Sequence, residues 1–206
     1  MKTIAILSQK GGAGKTTLAL HLAVAAEQAG KTCVILDLDP QASATHWKDS
    51  RQDEKPAVVS LQATRLEAVM NTAQKEGTEL ILIDTAPHSE SASLAAARVS
   101  DLILIPCRPA ILDLRAIRNT IDLARIAQKP VFVVLNSVSP RGSLVHDAEE
   151  AVLNYQVKVA PVWLGQRAAF VNALTSGKTA QEYELKSKAA EEIQQLYKWT
   201  CQQIGL

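Results

Sequence analysis

Five short stretches of this chain, residues 3–8, 32–37, 80–84, 102–106 and 131–136, are apolar runs dominated by Ile, Val and Leu. Consecutive residues of a strand point to opposite faces, so a run apolar at every position fits a strand covered on both sides. Residues 56–60 and 157–162 are weaker strand candidates of the same kind. Between the runs, residues 15–29, 65–75, 91–99, 113–127, 144–154, 167–175 and 187–204 read as helices with apolar positions at helical spacing. Gly30 follows the first of these and reads as its stop. Strands alternating with helices predict an α/β fold: a mostly parallel, twisted sheet with helices on both faces. Residues 137–143 (SVSPRGS) are the most loop-like stretch, too short to separate domains, so a single domain over 1–206 is expected.

Composition narrows the function without naming it. With 206 residues, 47% of them hydrophobic, the chain can bury a full core, which excludes a disordered protein. Lys and Arg number 22 against 21 acidic residues, a net charge of +1, so contact with nucleic acid requires a local patch. Aromatic residues are 4% of the chain, too few for a single-strand stacking platform. Cys33, Cys107 and Cys201 lie far apart with no C-x-x-C pair, which leaves neither a disulfide framework nor a zinc signature and suits a reducing cytoplasm. No apolar run approaches the length of a membrane span, and the first residues lack the apolar length and cleavage site of a signal peptide.

The strongest chemical signal is Gln9-Lys10-Gly11-Gly12-Ala13-Gly14-Lys15-Thr16-Thr17, which leaves the first strand and opens the first helix. Glycines let backbone N–H groups converge on phosphate oxygens, and a helix N-terminus adds unpaired donors and a positive dipole end. Lys15 can reach the β- and γ-phosphates, and the Thr16 hydroxyl suits Mg²⁺. The usual G-x-x-x-x-G-K-[ST] pattern needs glycine at position 9, where Gln9 stands; the loop reads K-G-G-x-G-K-T-T, with a second lysine, Lys10. In this it resembles the deviant phosphate loop of the ParA/MinD-type ATPases, a family of P-loop NTPases. The resemblance implies ATP or ADP with Mg²⁺ as cofactors, held by residues 10–17 (Lys10, Gly11, Gly12, Ala13, Gly14, Lys15, Thr16 and Thr17). It also implies an ATP-dependent homodimer, in which Lys10 reaches across to the partner's nucleotide and neutralises charge during phosphoryl transfer, as an arginine finger does.

Two aspartate motifs extend the resemblance. Asp37-Leu38-Asp39-Pro40-Gln41 ends the second strand and matches the family's D-x-D-P-Q loop, which implies that Asp39 orients or activates the attacking water and that Asp37 is a supporting or metal-linked carboxylate. Asp84-Thr85-Ala86-Pro87 ends another strand and matches the Walker B motif, whose carboxylate holds Mg²⁺. No glutamate follows Asp84, so slow turnover, accelerated by a partner or DNA, is expected. Residues 105–114 resemble the proline-bearing loop and helix of the family's dimer face. Asn136, at the end of a strand, and the backbone at Pro161 and Val162 resemble an adenine pocket, a role that suits an amide able to donate and accept.

Residues 164–179 resemble the corresponding stretch of short plasmid and chromosome partition ATPases, so the resemblance covers nearly the whole chain. It implies a DNA-segregation ATPase without an N-terminal helix-turn-helix domain, cytoplasmic and nucleoid-associated, that forms dimers or higher-order polymers. A centromere-binding ParB-type protein would be its partner. Nonspecific duplex DNA would meet a patch drawn from Arg141, Lys158, Arg167, Lys178, Lys186, Lys188 and Lys198, although glutamates are interleaved among them. The last helix carries Ile193, Leu196, Tyr197, Cys201 and Ile204 at helical spacing beside Glu191 and Glu192, which fits packing on the sheet better than lying on lipid. Two alternatives stay open: a MinD-type membrane-associated division regulator, and a P-loop synthetase acting on a small molecule. Trp47, Trp163 and Trp199 have no assigned role.

Overall fold

The apolar runs form strands β1 (Lys2–Ile6), β2 (Cys33–Asp37), β3 (Ala57–Ser60), β4 (Leu80–Asp84), β5 (Leu102–Cys107), β6 (Val131–Leu135) and β7 (Lys158–Val159) in a computed structural model. It describes residues 1–140 and 144–206. The strands make one sheet in the order β3-β2-β4-β1-β5-β6-β7, and every pairing is parallel. The period of two then sorts each run onto two cores. Ile4, Ile6, Leu80, Leu82, Leu102 and Leu104 face one layer; Ala5, Leu7, Ile81, Ile83, Ile103 and Ile105 face the other.

The first layer holds α1 (Lys15–Gln28), α2 (Ser43–Asp49), α7 (Ala168–Thr175), α8 (Ala180–Tyr183) and α9 (Lys188–Ile204). The second holds α3 (Leu66–Lys75), α4 (Glu90–Val99), α5 (Ile111–Ala127) and α6 (Leu144–Leu153). Every residue of α1 from Leu18 to Ala26 is buried, so the helix that carries the phosphate loop is internal. α9 buries Ile193, Leu196, Tyr197 and Ile204, so that face is taken up within the fold rather than left for lipid. No described helix is long and apolar enough to cross a membrane. Trp199 meets Phe132 edge-on at 4.9 Å, and Trp163 is exposed.

The structure departs from the sequence pattern in three places. α2 and α8 are helices where no periodicity was readable, because seven and four residues are too few to establish a 3.6-residue repeat. β7 is only two residues long: Ala160 and Leu164 still donate to β6 carbonyls, but Pro161 between them has no N–H to continue the ladder. Arg141 of the basic set lies outside the described residues.

His21 of α1 joins the first layer together. It is fully buried; Nδ1 lies 2.7 Å from the Thr17 carbonyl, and Nε2 accepts from the Ala180 N–H at 3.0 Å. Those two bonds require the neutral ring with its proton on Nδ1. Burial pushes the His21 pKa down to about 4, against smaller opposing effects of the Thr17 carbonyl and Glu182. The unfolded chain therefore takes up a proton at this site near pH 6.5 that the folded chain refuses until about pH 4. This contribution leaves stability unchanged above pH 6.5 and removes about 3 kcal/mol as pH falls through that window. Urea unfolding of the wild type and His21→Gln from pH 7 to pH 4.5 checks this: the wild type should lose more stability, and parallel losses would contradict it.

Candidate functional site

The chain leaves β1 toward β2 and leaves β5 toward β6, so the crevice beyond the carboxyl ends of these adjacent strands is a topological switch point. Residues 8–14 line it and lead into α1, whose N-terminus has no side-chain cap. Its first-turn N–H groups are therefore donors awaiting an anion. Gly14 closes the loop at φ 97°, and a Cβ there would run into the Asn136 amide. Neighbouring side chains hold the loop's carbonyls. Arg108 Nη2 donates to the Gly12 carbonyl at 2.9 Å, Asn136 Nδ2 to that of Ala13 at 2.8 Å, and Lys15 Nζ to that of Lys10 at 3.5 Å.

Asp37 and Asp84 are register partners on neighbouring strands, and both side chains are fully buried. Their oxygens are used differently. Asp37 Oδ1 accepts from the Asp39 N–H at 3.0 Å, and Oδ2 accepts from the Thr45 N–H and hydroxyl at 3.3 and 3.4 Å. Asp37 thus braces the loop carrying Asp39 and the start of α2. Both Asp84 oxygens are buried without a hydrogen-bond partner. Burial, with Asp37 and Asp39 nearby, pushes the Asp84 carboxyl up to about 7, against the Thr16 hydroxyl and the Lys15 ammonium. A buried carboxylate with free lone pairs beside a hydroxyl is a donor set that fits Mg²⁺ with its retained waters. Of the two aspartates assigned to the metal, Asp84 has oxygens to offer, while those of Asp37 are engaged by the loop.

Lys15 is buried, and burial draws its pKa down against the pull of Asp84 and Asp39. Asp39 is half-buried; its Oδ1 accepts from the Gln41 N–H at 2.9 Å. Lys10 lies on the outer lip with its side chain 41% exposed, 2.7 Å from Asp113 Oδ2 of α5. Beside that pair is a cavity of about 500 Å³ lined in part by Gln9, His88, Leu112 and Asn119. The first residues of α5, Ile111 and Leu112, are 60% and 69% exposed.

A second cavity, about 550 Å³, opens on the other side of the loop. Gly12, Gly14, Thr17 and Asn136 form one wall; Leu164–Arg167 and the α7 residues Phe170 and Leu174 form the other. It continues the phosphate loop and has room for a nucleoside. Asn136 is in it, but its amide spans Ala13 and the Ser137 N–H. Pro161 and Val162 are not among its lining residues; Val162 packs against the first core layer. Arg108 and Asp113 stood in the sequence only as part of the 105–114 loop and helix; the structure brings them to the Gly12 carbonyl and to Lys10. The apolar Phe170-Val171 pair in a helix following the last strand was the signal available for the far wall of the cavity.

Residues 4–180 match the CobQ/CobB/MinD/ParA nucleotide binding domain. The chain belongs to that family. With its two-lysine loop it is a P-loop ATPase of the ParA/MinD type. It is 29% identical over 203 residues to the maintenance of carboxysome distribution protein A of Halothiobacillus neapolitanus, covering 94% of each chain. The protein of the same name from Gloeobacter kilaueensis is 30% identical over 200 residues, covering 96% of this chain and 85% of that one. The chromosome partitioning protein ParA of Myxococcus xanthus is 26% identical over 238 residues, covering 92% and 84%. Among solved structures, the ATP complex of a Cyanothece McdA variant shares the fold, with a TM-score of 0.80 at 16% identity, covering 100% of this chain and 97% of that one.

Within this family the basic residues named above divide. Lys158, Lys178, Lys186, Lys188 and Lys198 are exposed. Arg167 is committed: its Nε donates to Glu192 Oε2 at 3.0 Å, and Glu192 also accepts from the Gly165 N–H.

Proposed function

We propose that this chain is a nucleotide-gated positioning ATPase of the ParA type. ATP with Mg²⁺ favours face-to-face pairing of two copies, the pair holds nonspecific duplex DNA, and a partner on the cargo stimulates hydrolysis and release. Lys15 and the loop amides bind the phosphates, Thr16 and Asp84 hold Mg²⁺, and Asp39 orients the water. Bound Mg²⁺ would neutralise charge on the β- and γ-oxygens. The observation that carries the reading is the placement of Lys10. It stands half-exposed on the lip of the loop, beside the exposed Ile111 and Leu112, held by one carboxylate of its own chain. A second copy can cover that apolar face and give Lys10 a phosphate instead of Asp113.

Plasmid DNA, marked by a centromere-bound ParB-type partner, is the cargo implied by the resemblance of residues 164–179 to partition ATPases. The two relatives at 29% and 30% identity, named for carboxysome distribution, favour a second reading in which the same switch carries a carboxysome-like body. Both share one test. Random-sequence duplex DNA should retain the protein with ATP and Mg²⁺ and release it with ADP, and retention should fall linearly on a log–log salt scale. Retention that ignores the nucleotide, or no retention in either state, would contradict the reading.

A further inference from the structure

The corner between α7 and α8 is held by α2 through contacts the phosphate site does not require. Arg51, two residues past α2, makes a two-pronged ion pair with Glu182: Nη2 to Oε1 at 2.6 Å and Nη1 to Oε2 at 3.0 Å. Its side chain is 5% exposed. Nη1 also donates to the Gly177 carbonyl at 3.1 Å, and Nε to that of Lys55 at 2.7 Å. The guanidinium lies over the Trp47 ring, 4.9 Å from its centre, and Trp47 Nε1 donates to the Lys178 carbonyl at 3.2 Å. Gly177 has φ 67°, and a Cβ there would run into the Ser50 carbonyl, so the two segments meet backbone to backbone. Burial pushes the Glu182 carboxyl up, but Arg51 and the Thr179 amide and hydroxyl outweigh it and hold it below the usual glutamate range.

The two elements joined here serve opposite ends of the site. α7 ends just before Gly177 and supplies Phe170 and Leu174 to the nucleoside cavity; α2 begins just after the Asp39 loop and is tied to it through Thr45 and Asp37. A buried ion pair is a weak source of stability, since apolar side chains of similar volume often serve as well. A planar, bidentate guanidinium does fix relative position.

We propose that Arg51 is a positioning residue for hydrolysis: through Glu182 it fixes the helix behind Asp39 to the wall of the nucleoside cavity, so that a seated nucleoside holds Asp39 in register. This rests on the reading of Asp39 as the residue that orients water. The test compares Arg51→Met, Trp47→Phe and Asp39→Ala by kcat, KM for ATP and Kd for ADP. Arg51→Met should lower kcat on the order of 10-fold or more, since displaced catalytic groups lose rate steeply, while ADP affinity stays within about 3-fold. Trp47→Phe removes the Nε1 donor and part of the ring face beneath Arg51 and should lower kcat in the same sense; it carries the test where Arg51→Met does not fold. Added to Asp39→Ala, Arg51→Met should cause no further loss, because both act through one group. Wild-type kcat in the Arg51 and Trp47 variants beside an inactive Asp39→Ala overturns the proposal alone. Equal losses of kcat and ADP affinity do so as well, by marking a general structural defect. Wild-type turnover in Asp39→Ala overturns it together with the reading beneath it.

Discussion

Lys15→Ala should weaken ADP and ATP binding on the order of 100-fold or more, the loss expected when phosphates in a partly dry site are deprived of their charged donor. The same substitution should leave the empty protein nearly as stable as before. The reason lies in what Lys15 does without nucleotide. It is buried, its Nζ has a single long hydrogen bond to the Lys10 carbonyl, and burial depresses its pKa despite the attraction of Asp84 and Asp39. A depressed lysine pKa means that the charged form is disfavoured in the empty fold, so the ammonium costs stability there at neutral pH. Calorimetric titration with ADP beside thermal melts checks both halves. Tight ADP binding by the variant would overturn the loop assignment, and a melting temperature lowered in step with affinity would replace it with a folding defect.

Asp39→Ala should separate binding from turnover. On the role proposed for Asp39 in orienting the water, its removal should lower kcat about 100-fold or more, in line with the usual contribution of a positioned acid–base group. ATP affinity should be unchanged or tighter, because the variant removes a negative charge from a site already crowded by Asp84 and Asp37. The loop should keep most of its shape: Asp37 still holds the backbone of residues 39 and 45, and the substitution frees only the Gln41 N–H, which Asp39 Oδ1 otherwise accepts. Single-turnover hydrolysis and equilibrium ATP binding measure the two quantities independently. Normal hydrolysis would move the water-orienting role elsewhere, and a parallel loss of binding would show that Asp39 supports the loop instead.

Much of this was legible in the sequence alone. The five apolar runs became the five central strands, because a sheet covered on both faces calls for apolar side chains along its length, and the buried Asp37 and Asp84 stand only at strand ends. The phosphate loop was legible because its chemistry is local: glycines, lysines and a helix start within nine consecutive residues. The parts that were not legible depend on distant contacts. Nothing in positions 105–114 says that Arg108 will reach the Gly12 carbonyl or that Asp113 will hold Lys10, since each pairing crosses about 100 residues of chain. The engagement of Arg167 was hidden for the same reason, since Glu192 looked like an ordinary residue of a solvated helix. Asp37 and Asp84 looked alike as strand-end carboxylates, and only the fold distinguishes the one spent on its own loop from the one left free. Pro161 and Val162, expected at an adenine pocket, follow the end of β7 at Val159; Val162 packs on the first core layer, and neither lines the cavity beside the loop.

The central claim is that nucleotide controls self-association through the face bearing Lys10, Ile111 and Leu112. The most direct test is the solution mass of Asp39→Ala with ATP and Mg²⁺ against ADP and Mg²⁺, since slow hydrolysis keeps the triphosphate in place during the measurement. The account predicts twice the monomer mass or more with ATP, monomer with ADP, and monomer in both when Lys10→Ala is added. A monomer with ATP, or an association that persists with ADP, would contradict it.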